Sequence, residues 1–257
     1  MTEAEWNNAD NPQVMLNWLR EQGKLSDRKA RLFAVACCRR IWRLLKDEVS
    51  RMAVQVAEAF ADGFLSDDAS RSAEERAETV RSTAQSLYDR EVDDSTYARD
   101  DEVIAAGWKL LTAVDAAVAA KAAVSSSAED AAHEASRAAS TAQEWDVQAA
   151  RWSEGRGRRL ENDFDFSERA IQVTLLRDIF GNPFRTLRSL APSLLTPTII
   201  GLAQTIYEQR SFERMRELAD ALEEAGCDNE EILGHLRQQG QVHVRGCWVI
   251  DSLLNKN

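Results

Sequence analysis

Residues 103–152, VIAAGWKLLTAVDAAVAAKAAVSSSAEDAAHEASRAASTAQEWDVQAARW, decide the fold class. Alanine dominates this stretch, proline is absent, and no glycine follows Gly107 until Gly155. Alanine is the strongest helix former, because it loses no side-chain entropy and sets no polar group against the backbone. The run is long for one helix, and Val124-Ser-Ser-Ser-Ala-Glu-Asp supplies a break. Either Ser126 with Glu129 or Ser127 with Asp130 satisfies an N-cap pattern, in which the hydroxyl accepts from a free N–H of the first turn. The stretch therefore reads as an antiparallel helical hairpin. Its second arm has almost no large aliphatic residue, and buried apolar area contributes only about 25 cal/mol per Å². The expectation is the least specified part of the chain, with packing on the body, projection from it and packing in an oligomer all left open. No a/d leucine seam occurs, which argues against a standard coiled coil.

Working outward, both flanks carry helical periodicity. Thr2-Glu-Ala-Glu5 is a capping-box pattern, and Pro12 suits the first turn of a helix bearing Met15, Trp18 and Leu19. A helix capped by Ser26 or Asp27 follows. Its apolar face holds Phe33, Ala34, Cys37, Cys38 and Ile41, and Arg28, Lys29, Arg39, Arg40 and Arg43 lie opposite. A third helix stops near Gly63, and residues 73–90 form a fourth with a thin apolar stripe. Beyond a charged connection at 153–166, further helices cover 167–180, the run after Thr196-Pro197, the run ending at Gly226, a short piece from Asp228, and 244–254. No segment sustains the period of two that marks a strand. The fold class is all-α: a multi-helix body, bundle or solenoid-like, with the Ala-rich hairpin in its middle. The domain reading is 1–102, 103–152 and 153–257, the first and last packing as one body.

The totals narrow the function classes. The 257 residues include 11 Gly and 4 Pro, too few for a turn-rich β protein, and the net charge is −11. A net acidic surface repels phosphate, so nucleic-acid binding is not expected. No apolar run approaches the roughly 20 residues a bilayer span needs, so no membrane association is expected. Four cysteines in a chain of this length read as reduced thiols in a cytoplasmic protein. No phosphate-binding glycine motif occurs in strand–helix context.

Three groups of residues are candidate sites. Cys227, His235, His243 and Cys247 form the donor set of a structural zinc site, although C-x7-H-x7-H-x3-C matches no common finger spacing. His243 and Cys247 alone are also the pair a cysteine hydrolase would need, with Asp251 as an orienting acid. Arg28, Arg39, Arg40 and Arg43 read either as a surface for an acidic partner or nucleic acid, or as groups matched by the protein's own acidic helices. Trp145 and Trp152, seven residues apart on one helix, read as a contact surface. The leading reading is a non-enzymatic protein-interaction or scaffold module without cofactor, with protein partners or a homo-oligomer. The alternative is a small helical domain stabilised by zinc. A regulatory protein acting through the basic helix 27–46 is a further alternative.

The strings DRKARLFAVACCRRIW (Asp27–Trp42), FGNPFR (Phe180–Arg185), LTPTIIGLAQTIYEQRSFERM (Leu195–Met215), LADALEEAGCDNEEIL (Leu218–Leu233) and HVRGCWVIDSLL (His243–Leu254) resemble an uncharacterised all-helical family of planctomycete-type bacteria. The resemblance covers about half the chain and implies that the two ends belong together. That family has no assigned activity, so the resemblance implies no site chemistry. The Ala-rich middle has no counterpart in it.

Overall fold

The computed structural model describes residues 1–92, 101–154, 167–185, 190–238 and 240–256. Among the described residues there are α-helices, short 3₁₀ turns and no strand, so the fold is all-α. Most of the charged connection read at 153–166 lies outside the described residues, as do residues 93–100. The chain divides into two compact units, Asp10–Gln172 (the contiguous unit) and Met1–Ala9 with Val173–Asn257 (the split unit). These divisions differ from those drawn at residues 102 and 152. The hairpin shares its interior with the helices before it, and residues 1–9 are tied to the C-terminal part.

In the contiguous unit α2 is Pro12–Glu21, α3 Asp27–Arg40, α4 Glu48–Ala61, α5 Asp67–Glu91, α6 Asp101–Ala123 and α7 Ala128–Ser153. Ser127 is the cap that splits the Ala-rich run: its hydroxyl accepts from Asp130 N–H. The hairpin of α6 and α7 packs on the other helices of its unit, one of the arrangements the sequence left open. The helix α3 packs on both arms, α4 and α5 pack on α6, and α2 touches α7. Ala119, Ala120, Ala135, Ala138, Ala139 and Ala142 are fully buried. A side chain of one carbon lets backbones approach, and Cys38 Sγ lies 3.2 Å from the Ala119 carbonyl of α6. Arg31, 4% exposed, donates to the carbonyls of Ala123 (3.2 Å) and Ser125 (2.7 Å), satisfying the end of α6. The reading that no run is long enough for a bilayer is also corrected. Asp101–Ala123 is long and apolar enough by length and composition, with mean hydropathy 1.6 over its most apolar window, and half of that window is buried in the fold. The helix α5 runs from 67 to 91, a turn and a half longer at its start than read, because Ser66 caps it.

The split unit holds α1 (Glu3–Asn8), α9 (Pro197–Gln209), α10 (Met215–Glu224), α11 (Glu230–Arg237) and α12 (Trp248–Leu254). The division falls inside α8 (Ser167–Phe180), whose residues from Val173 belong here. Thr2 and Glu5 close the expected capping box on α1. Arg177 donates to the carbonyls of Trp6 (2.8 Å) and Ala9 (3.0 Å), and Asn182 Nδ2 to Glu3 Oε1 (2.7 Å). These contacts fix α1 beside the end of α8. The core is aliphatic and aromatic, with Ile206, Leu218, Leu222, Leu236, Trp248 and Ile250 among its buried residues. The last helix begins at Trp248 rather than Val244, because Gly246 turns the chain with φ +92°. Gly181 marks a close approach: a methyl there would lie 3.0 Å from Trp248 Cγ.

Candidate metal centre

Four side chains of the split unit meet at one point. Asp178 lies near the end of α8 and is fully buried. His235 lies in the last turn of α11. His243 and Cys247 come from the stretch between α11 and α12, where Gly246 bends the chain and makes Cys247 the N-cap residue of α12. The Cys247 side chain makes no cap bond and turns inward instead. The ligand-type atoms of all four lie within 4.8 Å of one another. The His235 and His243 side chains are only 10% and 5% exposed.

The distances distinguish convergence from a relay. His235 Nε2 lies 3.2 Å from Asp178 Oδ1 and 3.2 Å from Cys247 Sγ. His243 Nδ1 lies 2.6 Å from Asp178 Oδ1 and 4.0 Å from Cys247 Sγ. Each imidazole thus aims a single nitrogen at both the carboxylate and the thiol. A catalytic Cys–His–Asp relay needs the opposite, one ring nitrogen on the sulfur and the other on the acid. Four donors around a cation with bonds of about 2.0–2.3 Å are roughly 3.3–3.8 Å apart in tetrahedral geometry. The centre's contacts straddle that spacing, with the acid and His243 drawn closer than a bound ion would hold them. The outer partners are those a metal site needs to orient its ligands. Gln241 Nε2 lies 3.3 Å from His235 Nδ1, and Val244 N–H donates to Asp178 Oδ2 at 2.9 Å.

Burial and neighbouring charge shift two of the four groups. Burial pushes the Asp178 carboxyl up, but hydrogen bonds from His235 and His243, with their charges, outweigh it and hold the group below its usual range. Burial pushes the Cys247 thiol well up, and the Asp178 charge adds to this. Such a thiol is inert as a free nucleophile, whereas a coordinating cation deprotonates it outright. Asp251, offered as the orienting acid, is buried one turn into α12, and the acid that meets both histidines is Asp178 instead.

The structure brings together three of the four sequence candidates. Cys227 is not among the converging donors: it is buried in the apolar core after α10, its N–H donating to Leu222 O. Asp178 takes the fourth place. The sequence reading missed it among the many acids of the chain, although one signal was available. Asp178 follows Ile171 and Leu175 on the same face of an apolar helix, where an acid is buried and needs a partner.

The remaining candidates serve the contiguous unit internally. Arg28 pairs with Asp62 (3.1 Å), Arg39 with Glu58 (2.6 Å), Arg40 with Glu168 (3.1 Å) and Arg43 with Asp146 (2.7 Å). Each of these four arginines thus has an acid of the same unit as a partner, the second of the two readings of this face, while the Arg43 side chain stays 63% exposed. Trp145 stacks on Trp108 with ring centroids 4.8 Å apart, and its Nε1 donates to Asp115 Oδ2 (2.7 Å). Trp152 is half-buried at the end of α7. Trp145 also borders a cleft of about 420 Å³ with Pro12, Gln13, Arg137 and Gln172. The polar floor of that cleft is already matched: Ser136 Oγ donates to Gln172 Oε1 (2.6 Å), and Gln172 Nε2 to Ser140 Oγ (3.0 Å).

No family model matches this chain, and neither does any curated protein or solved structure.

Proposed function

We propose that this chain is a metal-stabilised helical module, non-enzymatic, in which Asp178, His235, His243 and Cys247 hold one structural zinc ion. The observation that carries the reading is the convergence of one nitrogen from each histidine on both the carboxylate oxygen and the thiol sulfur. The donor set is one zinc accepts, and its charges balance: a carboxylate and a thiolate offset the 2+ ion, with two neutral imidazoles. Catalytic zinc sites keep one position open to water or substrate, whereas this centre offers four protein donors in a buried setting, the pattern of a structural site. The module then works by presenting a fixed shape to protein partners. Its four cysteines, all free and buried, support a reducing, cytoplasmic setting.

Elemental analysis of protein purified without chelators tests this. The expected result is one equivalent of zinc, lost in Asp178→Ala and in Cys247→Ala. Less than a tenth of an equivalent after reconstitution with zinc salts overturns it.

A further inference from the structure

We infer that Gln241 is a positioning residue of the centre: its side-chain amide turns over when the cation binds, and so sets how tightly the ion is held. This rests on the zinc reading above and concerns a residue that is not itself a donor.

His235 faces the other donors with Nε2, which lies 3.2 Å from Asp178 Oδ1 and 3.2 Å from Cys247 Sγ. A ring nitrogen binds a cation through its lone pair, so a neutral His235 that coordinates through Nε2 carries its proton on Nδ1. The side chain is 10% exposed, so that proton needs an acceptor from the protein. The ring is not free to swing toward a distant one. It is packed edge-on against His243, with centroids 4.9 Å apart, and tilted on Trp248 at 5.1 Å.

The group beside Nδ1 is the Gln241 amide, whose Nε2 lies 3.3 Å away. An amide NH2 in that place donates, which matches a ring whose proton sits on Nε2 and faces Asp178. A half-turn about the last side-chain bond of Gln241 brings the carbonyl oxygen to the same place, where it accepts from Nδ1–H. That torsion is broad and two-fold, so the turn costs little. Gln241 is only half-buried, which leaves its side chain room to turn. The contact behind the acid needs no such change. Asp178 Oδ2 accepts from Val244 N–H at 2.9 Å, which leaves Oδ1 to the centre with the ion or without it. Gln241 thus serves both states of His235. A side chain that can only accept favours the loaded state, and an apolar one leaves Nδ1–H without a partner there. Outer partners of this kind are worth roughly 10–100-fold in metal affinity.

Two measurements on the full chain test this: zinc affinity by competition with a chromophoric chelator, and nitrogen NMR of the His235 ring. In the wild-type protein the ring proton is expected on Nε2 without zinc and on Nδ1 with it. Gln241→Leu is expected to weaken zinc binding at least about tenfold. Gln241→Glu, which can only accept, is expected to bind zinc at least as tightly as the wild type and to hold the proton on Nδ1 even without zinc. Unchanged affinity in Gln241→Leu overturns the role of Gln241 and leaves the zinc centre standing. So does a loss in Gln241→Leu that Gln241→Glu fails to reverse. A proton on Nδ1 in the zinc-free wild type overturns the turning of the amide. A proton that stays on Nε2 in the zinc-loaded protein overturns coordination through that atom, and the inference with it. Absence of zinc binding by the wild type overturns the reading beneath it.

Discussion

In the α6–α7 hairpin the deepest positions are alanines, such as Ala120 and Ala135, whereas in the split unit they include Leu218, Leu222 and Ile206. The first kind of core gains its stability from close approach: many small contacts, short distances between helices, and polar ties such as Arg31 at the helix ends. The second gains it from volume, with large side chains filling the space between shorter helices, and adds a point where four donors meet. The alanine seam of the hairpin and the split-unit core therefore fail in opposite directions. One cannot tolerate added atoms, and the other cannot tolerate lost ones.

The largest effect is expected in the split unit. Leu218→Ala leaves a cavity in the aliphatic core and should cost about 2–5 kcal/mol in urea unfolding. A loss below half a kcal/mol would erase the contrast. Next, Ala135→Leu forces three carbons between α7 and its neighbours and should cost about 1–3 kcal/mol. If it instead stabilises, the contiguous core is loosely packed and the comparison fails from the other side. Third, Arg39→Ala strips the guanidinium from Glu58, whose side chain is 4% exposed, and should cost about 1–3 kcal/mol. Thermal melting of this variant separates a matched basic helix from a free one, since a solvated arginine would leave the midpoint unmoved. Smallest is Arg20→Ala. Its pair with Glu129 is exposed on both sides, so the melting midpoint should barely move. The small shift should also vanish in high salt, whereas the Arg39 effect should persist. Across both units, Cys37, Cys38 and Cys247 should resist thiol reagents in the native protein. Burial pushes the Cys38 thiol up to about 12 and raises the other two well above the ordinary range.

Much of the fold was legible because its signals are local. Thr2 with Glu5, Pro12, Ser127 and Thr196 with Pro197 state their helix starts within four residues. Gly63 and Gly226 state ends in the same way, by accepting the left-handed conformation. What the hairpin packs against was not legible. A run of alanines fits equally well on the outside of a body and in its tightest interior, and only the partner helices decide. The site was legible by residue type and not by membership. His235, His243 and Cys247 are scarce residues close in sequence, so they drew attention together. Asp178 is a common residue far from them in sequence, and α8 delivers it by tertiary packing. Cys227 was included for its chemistry alone, yet the turn after α10 buries it among aliphatic neighbours.

The split unit also has an order of assembly written into its connectivity. Met1–Ala9 belongs with residues from Val173 onward, and all of Asp10–Gln172 lies between them in the chain. On a ribosome, domains fold as units in the order they emerge. The contiguous unit can therefore complete itself while α1 waits with Trp6 uncovered, its binding carbonyls not yet met by Arg177. A helix made before the contiguous unit thus finds its place only after that unit has been made.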